Sequence, residues 1–321
     1  MTVISITERV EYIEKLFGKG DLTSQATNIQ VTCPFCKETN SSKKKLAIKI
    51  DDFQNHCWVC GHRARNLFSV LLKLGKKQEA IEFSKRFNVQ TSQKLLDSSV
   101  EKIVLPKDFR PIDLDKFSTS FNPMIRKPAE YLVNKRNLNQ KRCNQLRIGI
   151  CPESKPFHVV IPSFDYEGEL NYFTARNCDT KSKRRYTNCD RSSSEIIFNE
   201  IDIVWTKPLT IVEGPFDLAK CTLNNATCLL GSTINDEHPI IEKILMNNTP
   251  IIVALDQDAI NKTIRICDFL AGLGVDLKIV IPGSQDFGDM TPDENSSNIN
   301  SALPYDWNVS FKLKANRALK L

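Results

Sequence analysis

The chain has 321 residues, of which 41% are hydrophobic and 26% are charged, a composition typical of a globular protein large enough for two domains. No apolar run approaches the roughly 20 residues that a membrane helix needs. The N-terminal stretch MTVISITERVEYIEK turns acidic too early for a signal peptide. We therefore expect a soluble protein of the reducing cytoplasm without a membrane partner.

The positive charge lies in the first third of the chain. The formal net charge is +6, and residues 1–96 contain sixteen basic and nine acidic residues, so the remainder is close to neutral. This asymmetry favours an anionic partner for the N-terminal part.

Two cysteine pairs stand in that basic third, Cys33-Pro-Phe-Cys36 and Cys57-Trp-Val-Cys60, with 20 residues between them. Two C-x2-C turns at this separation are typical of a structural zinc site. Two thioredoxin-like motifs would each need a βαβ setting, which the sequence does not offer. Four thiolates complete a tetrahedron, so one structural zinc ion is predicted.

The residues between the cysteine pairs read as a hairpin. Leu46, Ile48 and Ile50 alternate with less apolar residues, which predicts a strand with one buried face. His56 and His62 flank the second pair, and we expect them at the surface or around the metal site rather than as ligands.

Cations and aromatic rings near the zinc site favour a nucleic acid strand as the partner, because cations neutralise phosphates and aromatic faces stack on bases. For the two aromatic residues, packing around the metal remains the alternative. The candidates are Lys43, Lys44, Lys45, Phe53, Trp58 and Arg63.

The chain divides by composition. Residues 1–87 would form the zinc-ribbon domain, with a helical stretch at its end, and the polar residues 88–108 would form a linker. Residues 109–208 would form a basic subdomain, and residues 209–321 an α/β domain with a C-terminal tail.

From residue 209 short apolar strands alternate with helical patterns, as in LTIV, ATCLLGS, PIIVALD and VDLKIVIPG with the segments between them. This alternation predicts an α/β fold with a small, doubly wound, mainly parallel sheet. In such sheets chemistry gathers at the carboxyl ends of the strands.

Four acidic residues fall at those ends: Glu213, Asp256, Asp258 and Asp286. Like charges so close together repel one another, and oxygen ligands suit a hard cation, so we predict a Mg²⁺ or Mn²⁺ site. The alternative is a set of solvated loop residues, with Asp258 capping the helix that starts at Ala259.

These residues carry a family resemblance. TIVEGPFDLA and ALDQDA resemble the two signatures of the Toprim domain, which primases and topoisomerases share. A zinc ribbon before such a domain is similar to the bacterial and phage DNA primase family. Residues 129–152, 159–177 and 184–188 resemble that family's basic subdomain, and residues 282–290 resemble its last acidic motif.

The resemblance implies a stand-alone, phage-type primase that makes RNA primers on single-stranded DNA from ribonucleoside triphosphates. It implies metal-binding roles for Glu213, Asp256 and Asp258, with Glu213 alternatively accepting a proton. Asp286 competes with Asp289 for the last acidic role. Arg176 and Arg185 would hold triphosphate or template. A replicative helicase is expected on a separate chain, because no G-x-x-x-x-G-K-[ST] motif occurs.

One position departs from the family pattern, since Asn261 stands where a glycine commonly follows the second aspartate. Three rival classes of protein fit the sequence less well. A recombination mediator lacks the basic subdomain, a type IA topoisomerase needs a nucleophilic tyrosine in a longer chain, and an inactive single-strand-binding relative would not need the acids.

Overall fold

The computed structural model describes residues 4–23, 25–36, 44–87, 102–179, 182–221, 225–281 and 287–318. The chain divides into two compact units, residues 1–97 and 98–321. Among the described residues, no helix has both the length and the apolar character needed to span a membrane.

The first unit is an antiparallel sheet with three helices. Its strands run in the order β1-β2-β3-β4-β5. The elements are α1 (Ile6–Phe17), β1 (Asp21–Leu22), β2 (Asn28–Val31), β3 (Leu46–Lys49), β4 (Asn55–Cys57), β5 (Arg63–Ala64), α2 (Leu67–Lys73) and α3 (Lys77–Phe87). The predicted alternation is confirmed, because Leu46, Ile48 and Ile50 are all buried.

An aromatic cluster holds the helices of this unit to its sheet. Phe53 is fully buried, and its ring meets those of Phe83 and Phe87 edge-on at 5.0 and 4.9 Å between centroids. The Arg9 guanidinium lies 5.2 Å from the centre of the Phe53 ring. The prediction that Phe53 stacks on bases is therefore wrong, because the ring is fully buried and has no face open to a base.

The second unit begins with a second antiparallel sheet, of strand order β10-β9-β8-β7-β6. Its elements are β6 (Arg110–Pro111), α4 (Leu114–Ser118), α5 (Pro123–Glu130), a π-helical turn (Tyr131–Lys135), α6 (Gln140–Gln145), β7 (Gly149–Cys151), β8 (Lys155–Phe164), β9 (Leu170–Asn177) and β10 (Tyr186–Asn188). Ile103 and Leu105, within the predicted linker, pack against buried residues of this sheet. Residues 88–101 of that linker lie outside the described residues.

The third sheet confirms the predicted α/β fold. Strands β11 to β14 are parallel, and only the edge strand β15 is antiparallel. The elements are β11 (Leu209–Val212), α7 (Pro215–Lys220), β12 (Ala226–Cys228), α8 (Pro239–Asn247), β13 (Ile251–Ala254), α9 (Ile260–Gly272), β14 (Leu277–Ile279), α10 (Pro292–Asn300), β15 (Leu303–Pro304) and α11 (Trp307–Ala318).

The strand order β12-β11-β13-β14-β15 creates a switch point in this sheet. The chain leaves β11 towards one side to form β12 and then returns to form β13 on the other side. The carboxyl ends of β11 and β13 therefore border the crevice where α/β proteins bind ligands. One buried core contains residues of both sheets of the unit, including Tyr172 and Val212, and so supports this crevice from below.

We expect Phe53→Ala to lower the free energy of unfolding of the first unit by about 3–5 kcal/mol, the usual cost of emptying a buried aromatic site. Trp58→Ala is the matched control, because Trp58 is 71% exposed and its removal opens no cavity. Urea unfolding of zinc-saturated protein measures both. Equal decreases in the free energy of unfolding for the two variants would contradict the packing of Phe53 described above.

Candidate active site

The four cysteines of the first unit form one cluster. Cys33 and Cys36 lie in the turn after β2, Cys57 ends β4, and Cys60 lies in the following turn. Their sulfur atoms all lie within 4.8 Å of one another. The Cys33–Cys60 pair is separated by 3.7 Å and the Cys36–Cys57 pair by 3.5 Å.

These separations fit a tetrahedral zinc ion, since Zn–S bonds of about 2.3 Å place sulfur atoms about 3.8 Å apart. Burial raises the pKa of the Cys57 thiol, but the N–H groups of Cys60 and Val59 lower it to about 7 overall, whereas burial raises the pKa of the Cys33 and Cys36 thiols. A bound zinc ion would hold all four sulfur atoms as thiolates. The second turn is closed by Gly61, whose φ of +72° is left-handed and whose N–H donates to the Cys57 carbonyl at 3.0 Å. The donor set therefore supports one structural zinc.

Neither neighbouring histidine belongs to this four-sulfur group. The His62 ring lies 4.2 Å from that of Phe35, and the His56 ring meets that of Trp58 at the same separation. Trp58 is not packed around the metal, because it is 71% exposed.

The basic residues predicted to bind DNA differ in their surroundings. The Lys44 ammonium is 2.6 Å from an Asp21 carboxylate oxygen, while Arg63 is exposed on β5 opposite His56. Lys45 is half-buried, and Lys43 lies outside the described residues. A nucleic acid role for these residues stays a prediction.

The acids of the third sheet meet at the switch point. Val212 pairs with Ala254 in the parallel ladder, so Glu213 and Asp256 emerge from adjacent strands at nearly the same level. Ligand atoms of Glu213, Asp256 and Asp258 all lie within 4.8 Å of one another. The sequence placed these three residues together correctly, whereas Asp286 lies outside the described residues.

The chemistry of this group fits a hard divalent cation. Glu213 Oε2 is buried, and none of the described residues makes a hydrogen bond to it. Three carboxylates this close repel one another, and a divalent ion would neutralise them and supply the missing partner.

The structure does not place Asp258 as a helix cap. The residue preceding α9 is Ala259, and no side chain caps that helix. Asp256 precedes the 3-10 turn Gln257–Ala259, again without a capping bond from its side chain. Asn261 lies inside α9 and has no positive φ, so this turn does not require the glycine common in the family.

The cavity beside these acids is lined by two further charged residues that were not predicted from the sequence. Asp217, four residues after Glu213 on α7, accepts a hydrogen bond from the Gly214 N–H at 2.7 Å and faces the acid group. Burial, with the nearby charges of Asp256 and Glu213, raises the pKa of Asp217 to about 7. Its place within the stretch E-G-P-F-D is the signal that could have found it.

Arg136 is the second missed residue, and it follows the π-helical turn. It donates to Asp289 at 3.1 Å and to the Gly288 carbonyl at 3.4 Å, while its guanidinium lies 4.7 Å from the Phe216 ring centre. A Cβ on Gly288 would lie 2.8 Å from Asp217 Oδ1 and 3.2 Å from Arg136 Nη1, so a larger residue there would displace these side chains. No local pattern in the sequence marks Arg136.

A cavity of about 450 Å³ connects these groups. Carboxylates line it on one side, and β9 and β10 contribute polar side chains on the other. Its lining includes Arg136, Thr174, Tyr186, Asn188, Glu213, Asp217, Asp256 and Asp289.

Neither of the two predicted arginines is among the described lining residues of this cavity, but Arg176 contacts Tyr186, which is. The Arg176 guanidinium lies 4.7 Å from the centre of the Tyr186 ring, and its buried Nε has no hydrogen-bond partner among the described residues. Arg185, just before β10, is exposed and is not among the described lining residues.

Comparison with solved structures finds similar chains among primases, the family whose motifs the sequence resembles. The zinc-binding and RNA polymerase domains of Aquifex aeolicus primase match at 17% identity with a TM-score of 0.47, over 94% of this chain and 87% of that one. The RNA polymerase domain of Mycobacterium tuberculosis primase DnaG matches at 14% identity with a TM-score of 0.47, over 59% and 79%.

A DnaG primase catalytic domain bound to single-stranded DNA also matches, at 14% identity with a TM-score of 0.46, over 59% of this chain and 75% of that one. No protein-family model matches the sequence, and no curated protein does. The proposals below rest on the residues of this chain.

We expect one zinc ion per chain, lost in Cys57→Ser together with the fold of the first unit, because metal affinity supplies folding energy to such small sites. Metal analysis and limited proteolysis provide the readouts. Cys189→Ser, outside the cluster, should keep the zinc. Full zinc content in Cys57→Ser would contradict the assignment.

Asp217 should make stability depend on pH. Between about pH 4 and 7 the folded protein keeps a proton that the unfolded chain releases, so this group lowers the free energy of unfolding as the pH rises. Asp217→Asn should therefore become progressively more stable than the wild type from pH 5 to pH 8. Unfolding without added Mg²⁺ measures this difference, and a difference independent of pH would count against it.

Proposed function

We propose that this chain is a DNA primase, a nucleotidyltransferase that makes short RNA primers on single-stranded DNA from ribonucleoside triphosphates. The observation that carries the proposal is the meeting of Glu213, Asp256 and Asp258 at the switch point, beside a cavity of about 450 Å³. Three carboxylates that could bind divalent cations, next to a cavity that could hold a nucleotide, suit nucleotidyl transfer better than DNA binding without catalysis.

The reaction joins a primer 3′-hydroxyl to the α-phosphate of a nucleoside triphosphate by in-line attack, and pyrophosphate leaves. Divalent ions, when bound, would neutralise charge on the phosphates and lower the pKa of the attacking hydroxyl. Asp256 and Asp258 would hold them through carboxylate oxygens, with Glu213 as a further ligand or as the proton acceptor.

Cations across the cavity would bind the polyphosphate and the strand. Arg136 stays charged beside Asp289 and lies on the cavity wall. Arg176 supports Tyr186, whose ring offers an aromatic face to a base. These residues would orient the substrates so that the attacking and leaving oxygens lie in line.

The first unit would bind the template. Its excess of basic residues and the exposed Trp58 support this role, and the zinc ion would hold the ribbon in shape. From the family resemblance we expect a phage replication complex in a bacterial cytoplasm, with a helicase as a separate chain.

Asp256→Asn should lower primer synthesis by more than about 100-fold, since residues that only support a metal ligand already cost 10–100-fold. The variant keeps the shape of the side chain, so its fold should persist. Asp276→Asn is the matched control, because Asp276 is an exposed aspartate just before β14, at the opposite end of the parallel strands.

Primer synthesis on single-stranded DNA, with thermal unfolding of each variant, measures these outcomes. An active Asp256→Asn protein would overturn the metal-site proposal. A wild-type protein that binds single-stranded DNA but makes no primer would favour the inactive binding protein instead.

We expect the first unit to recognise template sites and the second unit to catalyse bond formation. A fragment of residues 98–321, the second compact unit, should extend an annealed primer weakly and lose initiation at particular template sites. Mapping of primer start sites compares the fragment with the full chain, and unchanged site selection by the fragment would contradict the template role.

A further inference from the structure

A lysine stands next to the acid group and has no part in the reaction described so far. The ammonium of Lys262, in the first turn of α9, lies 3.4 Å from Glu213 Oε1. Both side chains are largely enclosed, with 18% and 29% of their surfaces exposed. The pair therefore connects the helix after β13 to the carboxyl end of β11.

The two oxygens of Glu213 have different surroundings. Oε1 faces the ammonium, whereas Oε2 is buried without a hydrogen-bond partner among the described residues. The same carboxylate belongs to the group with Asp256 and Asp258. One oxygen is thus held by the protein, and the other remains for an ion.

We propose that Lys262 is a positioning residue, which binds one oxygen of Glu213 and thereby presents the other to a divalent cation. This inference rests on the metal site of the proposed function. Groups that hold the distal atom of a metal ligand fix its orientation and strengthen the site. Without the ammonium, the Glu213 carboxylate would be repelled by those of Asp217 and Asp256. It would then rotate away from them.

The charge of Lys262 could also act on metal affinity in the opposite direction. An ammonium close to a divalent ion also repels it, so a lysine that merely occupied the site of the ion would weaken metal binding. Removing such a lysine would tighten binding, whereas removing a positioning lysine loosens it. The separation of roles between Oε1 and Oε2 favours positioning.

The test measures Mn²⁺ binding by electron paramagnetic resonance, without nucleotide or template. Lys262→Met should lower the affinity about tenfold, and Lys262→Arg, which keeps a cation in reach of Oε1, should recover most of that loss. Lys243→Met is the matched control, because Lys243 forms a similarly enclosed pair with Glu200 at 3.0 Å. This control should bind Mn²⁺ like the wild type.

A second measurement uses the wild type alone and so does not depend on whether a variant folds. Acetylation of Lys262 by acetic anhydride, followed by mass spectrometry, should not increase when Mn²⁺ is added, because the ammonium keeps its partner. Increased acetylation with Mn²⁺ would overturn the proposal, as would unchanged or tighter Mn²⁺ binding by a folded Lys262→Met protein.

These outcomes are distinct from failure of the proposed function. A wild type that binds Mn²⁺ with the expected dependence on Lys262, yet makes no primer, would leave the positioning role intact and remove the primase. A wild type that binds no Mn²⁺ would overturn both.

Discussion

The repulsion between carboxylates at the switch point of the third sheet is the constraint on which the site depends. Parallel strands end together, so Glu213 and Asp256 cannot avoid each other once β11 and β13 pair in register. Apolar strand residues fix that register, because each strand is buried along nearly its whole length. The fold therefore forces together carboxylates whose mutual repulsion a bound cation would relieve.

The surrounding residues moderate this repulsion without removing it. Lys262 neutralises one oxygen of Glu213, and Arg136, just after the π-helical turn, pairs with Asp289. Burial raises the pKa of Asp217 to about 7, so protonation offers another route. Each of these effects acts on a single carboxylate. The cysteine cluster of the first unit differs, because its four thiolates would surround a zinc ion completely.

Much of this arrangement could be predicted from the sequence, because its signals are local. The cysteine spacing, the alternation around Ile48 and the strands of the third sheet all depend on residues close together in the chain. The errors arose where partners are distant. Phe53 was a candidate for base stacking because the sequence does not reveal that Phe83 and Phe87, 30 and 34 residues later, pack against it.

Arg136 was missed for the same physical reason, since its partner Asp289 follows more than 150 residues later. Asp217 was closer but resembled an ordinary helix residue.

The most direct test of the central claim is anomalous diffraction from crystals of the protein soaked in Mn²⁺. The account predicts a peak within about 2.5 Å of carboxylate oxygens of Glu213, Asp256 and Asp258. Bound manganese elsewhere and none among these three residues would contradict it.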